Sequence, residues 1–397
     1  MKTDVVIIGA ELDGLIAATR LVEHGHTVRI LTTGAGSLHY APAGVNVLGY
    51  DQADQLIADP FIAMEGLDSN HPYQKMGTAN ARAALNWFSK PDNENNVLTI
   101  SPAGFEVPVN KALPWQATFD DIKNKNTAIV QFQNHRDFTA HLASTELSKA
   151  GYKTWVLDFE APDVFLENAA LAKSFDRLKN YVSYFQLMKD ALQDKAEVIL
   201  FPAVMGFHDH ERIMSEAEKI LGIPCREIST LPPSIPGMRL DDKLTNNLKQ
   251  KMVSIHQGVK IVQKQIEKLH CTAVMDERGL FYEASIFIVS TGGVLMGGLD
   301  VDSHGYVHET ALGLGVYQSE PLNALTVDAS LHSLHMAGVE TDTNLRPLNG
   351  IRNVFVTGRT LSHWNPAQES SCEGVCISTG WVAAEKAHNQ LSGMNNG

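Results

Sequence analysis

The stretch that decides the fold is residues 4–14, "DVVIIGAELDG", where an apolar run ends at Gly9 and a helical pattern follows. Residues 3–8 have the length and character of a buried strand, and residues 13–24 carry apolar side chains at helical spacing. Residues 27–32, "TVRILT", then resemble a second strand. The sequence therefore predicts a β-α-β unit with two parallel strands and a right-handed crossover.

The turn after the first strand departs from the dinucleotide-binding fingerprint G-x-G-x-x-G at its middle position. Gly9 and Gly14 keep the tight turn and the close helix–strand packing, and Ala10 is tolerated. Glu11 replaces the glycine that would let a phosphate approach the helix N-terminus. Its carboxylate either replaces that phosphate as the anion of the helix or points to solvent beside a displaced phosphate. A plain turn in an unrelated α/β protein is a third interpretation.

The end of the second strand also departs from a dinucleotide site. Such a site has an acidic residue there, which holds the ribose hydroxyls. This chain has Thr32 and Thr33 at that position and no carboxylate. Both departures weaken the case for an adenine dinucleotide.

Composition and net charge argue against several classes of protein. The chain has 397 residues and a formal net charge of −13, which argues against a general nucleic-acid binder. It contains no run of about 18 apolar residues, so we expect no membrane span, and its first eight residues predict a strand rather than a cleaved signal. The four cysteines form no C-x-x-C pair, which predicts reduced thiols in the cytoplasm and no metal centre.

Both ends of the chain are predicted to contribute to one parallel sheet, with core strands at 3–8, 27–31, 285–291 and 353–357. The predicted fold is α/β: a discontinuous, doubly wound Rossmann-like domain with an inserted α+β domain. The first domain takes residues 1–70, 236–298 and 345–397, and the inserted domain takes residues 71–235 with 299–344.

Other segments receive simpler predictions. Helices are expected around 51–66, 76–89, 136–150, 241–257 and 373–390, and further strands at 196–204, 259–263, 271–276 and 279–293. The proline-rich stretch 231–240, "LPPSIPGMRL", predicts an extended connection because proline breaks a continuous helix.

Five segments in chain order carry a resemblance to a known family. They are "GSLHYAPAGVNVLGY" (36–50), "LPPSIPGMRLDDKL" (231–244), "VSTGGVLMGGL" (289–299), "VETDTNLRP" (339–347) and "NVFVTGRTL" (353–361). Together they resemble the B subunit of the anaerobic glycerol-3-phosphate dehydrogenase family over essentially the whole chain. The resemblance implies a flavoprotein subunit with FMN as cofactor, although FAD is possible. It also implies two partners, an FAD-containing catalytic subunit and an iron–sulfur subunit that anchors the complex at the inner membrane.

The resemblance further implies which residues face the flavin. The loop 39–46 would bring His39, Ala43 and Gly44 against the ring, and the other contacts would come from turns later in the chain. The full set of expected cofactor contacts is Gly9, Ala10, Glu11, Gly14, Thr32, Thr33, His39, Ala43, Gly44, Gly292, Gly358, Arg359, Glu373, Gly374 and Val375.

The C-terminal segment "NPAQESSCEGVCISTG" (365–380) departs most from the family pattern. Gly374 and Val375 persist, but Glu373 takes a position that the family keeps small. A carboxylate there opposes the charge that builds on a reduced flavin. Glu11 and Glu373 together suggest a divergent member whose flavin site is altered or lost, and a non-catalytic scaffold subunit is therefore the alternative function.

Three residues are candidates for catalysis. Arg239 and Arg346 lie in the resemblance segments and suit a phosphate or carboxylate, although each could instead form an ion pair with Asp241 or Asp342. His39 could accept a proton, or be an ordinary loop histidine.

The expected function is oxidation of glycerol 3-phosphate to dihydroxyacetone phosphate, or relay of its electrons toward iron–sulfur centres and quinone. No nucleic acid and no direct membrane span are expected. The chain is predicted to be cytoplasmic and held at the inner membrane through a partner subunit. A free-standing flavin dehydrogenase acting on a small hydroxy or amino acid is a weaker possibility.

Overall fold

A computed structural model describes residues 3–41, 44–89, 94–164, 167–319, 321–322 and 332–395. The strands are β1 (Thr3–Ile8), β2 (Val28–Thr32), β3 (Val97–Ile100), β4 (Glu106–Val109), β5 (Thr127–Phe132), β6 (Thr154–Phe159), β7 (Val198–Pro202), β8 (Cys225–Ile228), β9 (Ser254–Gln257), β10 (Ile261–Glu267), β11 (His270–Asp276), β12 (Phe281–Val289), β13 (Leu299–Val301), β14 (Val307–Glu309), β15 (Val316–Tyr317), β16 (Gly338–Val339) and β17 (Val354–Val356).

The α-helices are α1 (Leu12–Glu23), α2 (Pro60–Ala63), α3 (Pro72–Met76), α4 (Thr78–Phe88), α5 (Phe119–Ile122), α6 (Ala140–Lys149), α7 (Asn168–Arg177), α8 (Tyr181–Leu192), α9 (His210–Leu221), α10 (Ile235–Gln250), α11 (Pro366–Glu369) and α12 (Cys372–Asn395). The chain divides into two compact units. The first unit consists of residues 1–37, 46–95 and 241–397, and the second of residues 38–45 and 96–240.

The first unit is built on a parallel sheet with strand order β9-β2-β1-β12-β17. Val5 pairs with Val28 on one side and with Ile286 on the other, so β1 lies in the middle. Strands β10 and β11 extend β12 in antiparallel fashion. The four predicted core strands are confirmed, and they come from the two ends of the chain. Continuous apolar strands of this kind are expected where both faces of a sheet are covered.

Helices α1 and α12 pack against each other beside this sheet. Ala17 and Ala18 of α1 are fully buried, and a methyl group added at Gly380 of α12 would lie 2.2 Å from the carbonyl oxygen of Asp13. These small residues let the two helix backbones approach closely. Helix α4 packs on α12 from the same unit.

The compact units place residues 71–95 and 299–344 differently from the predicted division. The first unit contains both segments: α3 and α4 pack on α12, and Val339 of β16 forms a β-bridge with Leu361. Contacts between segments distant in sequence decide this, and no change of composition marks it.

Asn353 joins three strands of the first unit through its buried side chain. Its Oδ1 accepts a hydrogen bond from the Cys271 backbone N–H at 2.8 Å, and its Nδ2 donates to the carbonyl oxygens of Cys271 and Ser285 at 2.7 and 2.8 Å. It therefore satisfies backbone groups of β11 and β12 from the start of β17.

Replacing Asn353 by alanine is expected to lower the free energy of unfolding by about 2 kcal/mol, because buried backbone groups lose their partners. Urea denaturation of both proteins measures this difference. Asn246→Ala is the matched control, since Asn246 donates to Asp242 at the surface and its loss should cost less than about 0.5 kcal/mol. An equal, small cost for both variants would contradict the proposed role.

Three predicted segments are wrong. Helix α10 begins at Ile235 within the stretch expected to be extended, because Pro236 lies in the first turn, where no N–H partner is needed. Residues 254–257 form the edge strand β9 beside β2 instead of continuing a helix. Residues 51–59 are irregular rather than helical, since the Asp51 carboxylate accepts hydrogen bonds from the backbone N–H groups of Ala53 and Gln55.

The second unit contains a parallel four-stranded sheet with strand order β6-β5-β7-β8 and a separate β3–β4 hairpin. Its core is a cluster of buried apolar side chains from this sheet and from helices α7, α8 and α9, with Phe132, Phe175 and Phe185 among the largest. The predicted strand at 196–204 and helix at 136–150 correspond to β7 and α6.

The part of the chain that the structure describes holds no helix long and apolar enough to cross a bilayer. The four cysteines are buried and free of disulfide bonds.

Candidate functional site

The turn between β1 and α1 is held tightly against the end of β12. Gly9 has φ +104°, and a methyl group added there would lie 1.7 Å from the carbonyl oxygen of Ser290. One added at Gly14 would lie 2.7 Å from the Ser290 hydroxyl. Both predicted glycines are therefore required by contacts within the chain itself, because no side chain fits either position.

Glu11 is the N-cap residue of α1, but its side chain makes no hydrogen bond to that helix. Its carboxylate crosses to the loop after β2 and accepts hydrogen bonds from the Ser37 backbone N–H at 3.0 and 3.1 Å and from the Ser37 hydroxyl. The residue is only 5% exposed. The predicted placement in solvent is wrong, because the carboxylate is buried. The carboxylate makes no hydrogen bond to α1, and its role as the anion of the helix in place of a phosphate stays a prediction.

Two glycines leave room for the Glu11 carboxylate. A methyl group added at Gly36 would lie 3.2 Å from Glu11 Oε1 and 2.6 Å from the carbonyl oxygen of Ala10. One added at Gly292 would lie 2.9 Å from Glu11 Cδ. The space between these glycines is thus filled by the chain's own carboxylate. Burial raises the pKa of Glu11 to about 7, although the Ser37 hydrogen bonds oppose this.

Glu373 lies in the first turn of α12 and is buried. Its Oε2 has no hydrogen-bond partner among the described residues. Burial raises the pKa of Glu373 to about 7, and the nearby Arg359 partly opposes the shift. Arg359 also acts to lower the pKa of Glu11, so one guanidinium favours the charged form of both acids. Arg359 Nε donates a hydrogen bond to Cys372 Sγ at 2.9 Å.

Asp13 is a buried acid of this site that was not among the residues expected from the sequence. Thr357 donates a hydrogen bond from its hydroxyl to Asp13 Oδ2 at 2.6 Å, and a methyl group added at Gly358 would lie 2.4 Å from Asp13 Oδ1. Burial raises the pKa of Asp13. A carboxylate on the packed side of an otherwise apolar helix was the signal that could have identified it.

The structure therefore brings together residues from three distant segments. The turn at Gly9 and Glu11, the turn at Gly292 and the segment around Arg359 and Glu373 all meet at the carboxyl ends of β1 and β12. This edge is where parallel α/β sheets place their ligands.

An open cleft lies beside this turn. It runs between the ends of β1 and β2 and the residues that lead into β10, within the first unit. Its lining comprises Ile8, Gly9, Ala10, Glu11, Leu31, Thr32, Thr33, Ala35, Val259, Lys260, Ile261, Ser290, Thr291, Met296, Gly297, Gly298, Thr310 and Ala311.

The two threonines at the end of β2 contribute differently to this cleft. The Thr32 hydroxyl donates to the carbonyl oxygen of Gly34 at 2.7 Å, so it stabilises the turn in which it lies. Thr33 is exposed and lines the cleft. Glu11 is the acidic residue in the lining, and it lies at the β1 end rather than at the end of β2, where a ribose-binding carboxylate is usual.

Gly374 and Val375 have a packing role in the structure. A methyl group added at Gly374 would lie 2.2 Å from Tyr73 Oη, which donates to the carbonyl oxygen of Val47 at 2.7 Å. Val375 is fully buried. Their expected contact with a flavin ring stays a prediction.

Residues His39, Ala43 and Gly44 were expected to form one loop against the cofactor. His39 accepts a hydrogen bond at its backbone carbonyl from the Ser234 N–H at 2.7 Å, within the second unit. Gly44 has φ +128°, and a methyl group there would lie 2.8 Å from Val109 Cγ1, also in the second unit. Ala43 lies outside the described residues.

Arg239 forms a buried ion pair in the second unit, but with Glu227 rather than with the expected Asp241. Its guanidinium donates to both oxygens of Glu227, at 2.8 and 3.1 Å, and to the carbonyl oxygen of Gly206. His210 Nε2 lies 3.0 Å from the same carboxylate. Burial acts to raise the pKa of Glu227, but Arg239 and then His210 outweigh it and hold that pKa far below its ordinary value.

Arg346 belongs to the first unit and has different partners. Its Nη2 donates to Gln390 at 3.2 Å, and its guanidinium lies 5.6 Å from the centre of the Phe355 ring. The carboxylate of Asp342 accepts from the Arg346 backbone N–H, at 2.9 Å. The two arginines share none of these partners and lie in different units, and an anion-binding role for either stays a prediction.

The described residues contain no group of three or more His, Cys, Asp and Glu side chains arranged for a metal ion. In the segment "FHDHER", His210 faces Glu227, and Asp209 forms an ion pair with Arg212. Side chains of this segment therefore form ion pairs within the second unit.

Comparison with known families classifies this fold. The profile described as FAD binding domain matches residues 4–147 and 175–375, well over half of the chain. The chain belongs to the FAD binding domain family. The predicted Rossmann-like flavin-binding fold class is confirmed by this match together with the parallel sheet.

Two named relatives of this FAD binding domain protein are both described as the B subunit of anaerobic glycerol-3-phosphate dehydrogenase. The B subunit of anaerobic glycerol-3-phosphate dehydrogenase from Vibrio cholerae is 26% identical over 97% of this chain and 96% of the relative. A probable B subunit of the same enzyme from Halobacterium salinarum is 26% identical over 98% of this chain and 100% of the relative. The predicted resemblance is confirmed, and these identities are those of a divergent member.

Solved structures similar to this FAD binding domain protein include Mycobacterium smegmatis Sdh1 in complex with UQ1, with a TM-score of 0.46 and 9% identity over 99% of this chain and 69% of that one. A variant of E. coli quinol fumarate reductase FrdA has a TM-score of 0.44 and 10% identity over 100% of this chain and 72% of that one.

The residues at the Gly9 turn do not fit the pyrophosphate of FAD as they stand. The end of the cleft at the N-terminus of α1 is filled by the Glu11 carboxylate and closed by its contact with Ser37. In this FAD binding domain, a pyrophosphate would meet a buried acid where open backbone N–H groups are the rule.

Proposed function

We propose that this chain is the counterpart of the B subunit in an anaerobic glycerol-3-phosphate dehydrogenase-like complex and holds a flavin there. The observation that supports it most is similarity to the B subunit of Vibrio cholerae over 97% of this chain and 96% of that protein. Membership in the FAD binding domain family supports the flavin. The convergence of the Gly9, Gly292 and Arg359 segments supports a site at the sheet edge.

The proposed cofactor is FMN rather than FAD. FMN has no pyrophosphate to accommodate at the turn that Glu11 fills, and no adenosine ribose that would need an acid after β2. The description of the family favours FAD instead. The mass of the bound flavin distinguishes the two.

The proposed role is to oxidise glycerol 3-phosphate to dihydroxyacetone phosphate, or to relay the electrons toward iron–sulfur centres and quinone. Its proposed partners are an FAD-containing catalytic subunit and an iron–sulfur subunit. Because the named relatives are B subunits, partner subunits are the natural proposal for this chain. Its proposed location is the cytoplasmic face of the inner membrane, reached through the anchoring partner.

A scaffold subunit without flavin is the second candidate, and the placement of Glu11 favours it. The carboxylate fills the turn and makes the contact that joins α1 to the loop after β2. In that case the chain would hold its partners together and carry no electrons.

The first test is to purify the chain from cells co-expressing the two proposed partner subunits and to identify the small molecules released by heat. We expect a stable three-subunit complex in which this chain releases about one equivalent of FMN. The chain expressed alone is the control for flavin carried by the partner. A complex in which this chain holds no flavin supports the scaffold, and the absence of any complex contradicts the proposal.

A further inference from the structure

Glu11 bears directly on which flavin this fold admits, provided that the chain holds a flavin as proposed above. The residue stands at the N-cap of α1, a helix of 12 residues, yet its carboxylate is bound to Ser37 instead of to the helix. In folds of this class, that turn and the following helix N-terminus receive the phosphates of a dinucleotide.

The packing around Glu11 leaves no room for a second anion in the same place. Gly36 approaches the carboxylate from the loop after β2, and Gly292 approaches it from the turn after β12. At either glycine an added methyl group would already be closer than 3.3 Å to a Glu11 side-chain atom. A pyrophosphate could enter only if the Glu11 side chain left this position.

The charges nearby also disfavour a pyrophosphate. Three buried acids, Glu11, Asp13 and Glu373, lie near this turn, and Arg359 is the cation whose effect reaches both glutamates. Like charges repel strongly in a site with little water. At pH 8, where Glu11 and Glu373 are charged in the fold, a pyrophosphate packed against Glu11 would thus add negative charge beside acids that share one guanidinium, while Lys260 lines the adjoining cleft.

We infer that Glu11 determines cofactor specificity: it takes the place of the pyrophosphate, excludes the ADP half of FAD from the cleft and so restricts the chain to FMN. FMN ends at its single phosphate and does not extend along the cleft between β2 and the start of β10. Restoring a small residue at position 11 removes both the bulk and the charge, and it opens the path from the turn into the cleft.

The experiment compares the wild-type chain with Glu11→Gly and Glu11→Ala, using FAD, FMN and ADP as separate probes in calorimetric titrations at pH 8. We expect FAD affinity to rise at least about 100-fold in both variants, because a steric and a charge barrier disappear together. ADP binding should become measurable, and FMN affinity should change at least ten times less than FAD affinity. The alanine variant covers the case in which the added glycine impairs folding.

Two further variants test whether the gain in FAD affinity comes from removal of the Glu11 side chain itself. Glu211→Ala removes an exposed acid from α9 in the second unit and is the matched control, with no expected change for any probe. Ser37→Ala removes the hydroxyl that binds Glu11 but leaves the carboxylate in place. We expect it to raise FAD affinity less than about 10-fold, because bulk and charge persist.

The outcomes separate this inference from the proposed function. Wild-type FAD binding as tight as that of Glu11→Gly overturns the inference and leaves a flavin subunit intact. Equal gains for FMN and FAD also overturn it, because Glu11 would then oppose any phosphate. A gain for FAD and ADP in a chain that never binds FMN supports the exclusion by Glu11 and overturns the proposed FMN cofactor.

Discussion

Replacement of Glu227 by alanine is expected to lower the free energy of unfolding by about 3–5 kcal/mol, since a buried cation loses its partner. Glu227 is 4% exposed, and its side chain pairs with Arg239, whose side chain is 14% exposed. The same carboxylate accepts a hydrogen bond from the Met205 backbone N–H at 3.0 Å. Truncation therefore leaves an uncompensated guanidinium and an unsatisfied amide in the second unit.

Urea denaturation of the wild type, Glu227→Ala, Arg239→Ala and the double variant measures this effect. The double variant should be destabilised by clearly less than the sum of the single changes, because removing both charges leaves neither one buried alone. Glu218→Ala is the matched control in the same unit, where a partly exposed acid lies 3.6 Å from Arg226. Its cost should stay below about 1 kcal/mol. Additive single costs would contradict the ion pair.

Replacement of either Glu11 or Glu373 by glutamine is expected to stabilise the chain by about 3 kcal/mol at pH 8 and by less than about 1 kcal/mol at pH 5. Both carboxyl groups have a pKa of about 7 in the fold, against 4.5 in the unfolded chain. The cause is burial, which disfavours the charged form.

The sign of the pH dependence follows from proton uptake. Between pH 4.5 and 7 the folded chain holds more protons on these groups than the unfolded chain does, so their contribution to stability falls as the pH rises. Above pH 7 each wild-type acid is charged in both states and carries the full cost of burial. Glutamine has no charge to bury, so its advantage grows with pH.

The measurement is the difference in unfolding free energy between variant and wild type at pH 5, 6, 7 and 8. Glu211→Gln removes one exposed charge from α9 and should give a small difference that does not grow with pH. A stabilisation by Glu11→Gln or Glu373→Gln that is the same at pH 5 and pH 8 would show that these acids are not protonated by folding.

The central sheet could be predicted from the sequence because its strands are continuous apolar runs. Residues 3–8 and 285–291 have enough apolar side chains to be buried on both faces, and such runs are short and end at glycine. Helix α10 could not be predicted this way, since proline argues against a helix except in the first turn. The residue at which that first turn begins depends on the path of the preceding segment, which the sequence does not show. The edge strand β9 is too polar to show a strand pattern.

The sequence indicated some residues of the candidate site, but neither Asp13 nor the contacts between them. Gly9, Glu11, Gly292 and Arg359 were expected to contact the cofactor from separate turns, and the structure brings them to one sheet edge. Binding of a flavin there stays a prediction. The partner of Glu11 could not be predicted, because Ser37 is 26 residues away and has no distinguishing neighbour in sequence. The same holds for the pairing of Arg239 with Glu227 in place of Asp241.

The sequence by itself determined the β-α-β unit, the parallel sheet and the likeness to the B subunits of glycerol-3-phosphate dehydrogenases, because these depend on local apolar pattern and on residue identity along the chain. Tertiary structure alone decided that Glu11 crosses to Ser37 and is buried at the turn after β1. The physical reason is that the direction of a side chain depends on which loop folds over it. A carboxylate at a turn can face water, a helix end or a neighbouring loop, and packing selects among these by burial.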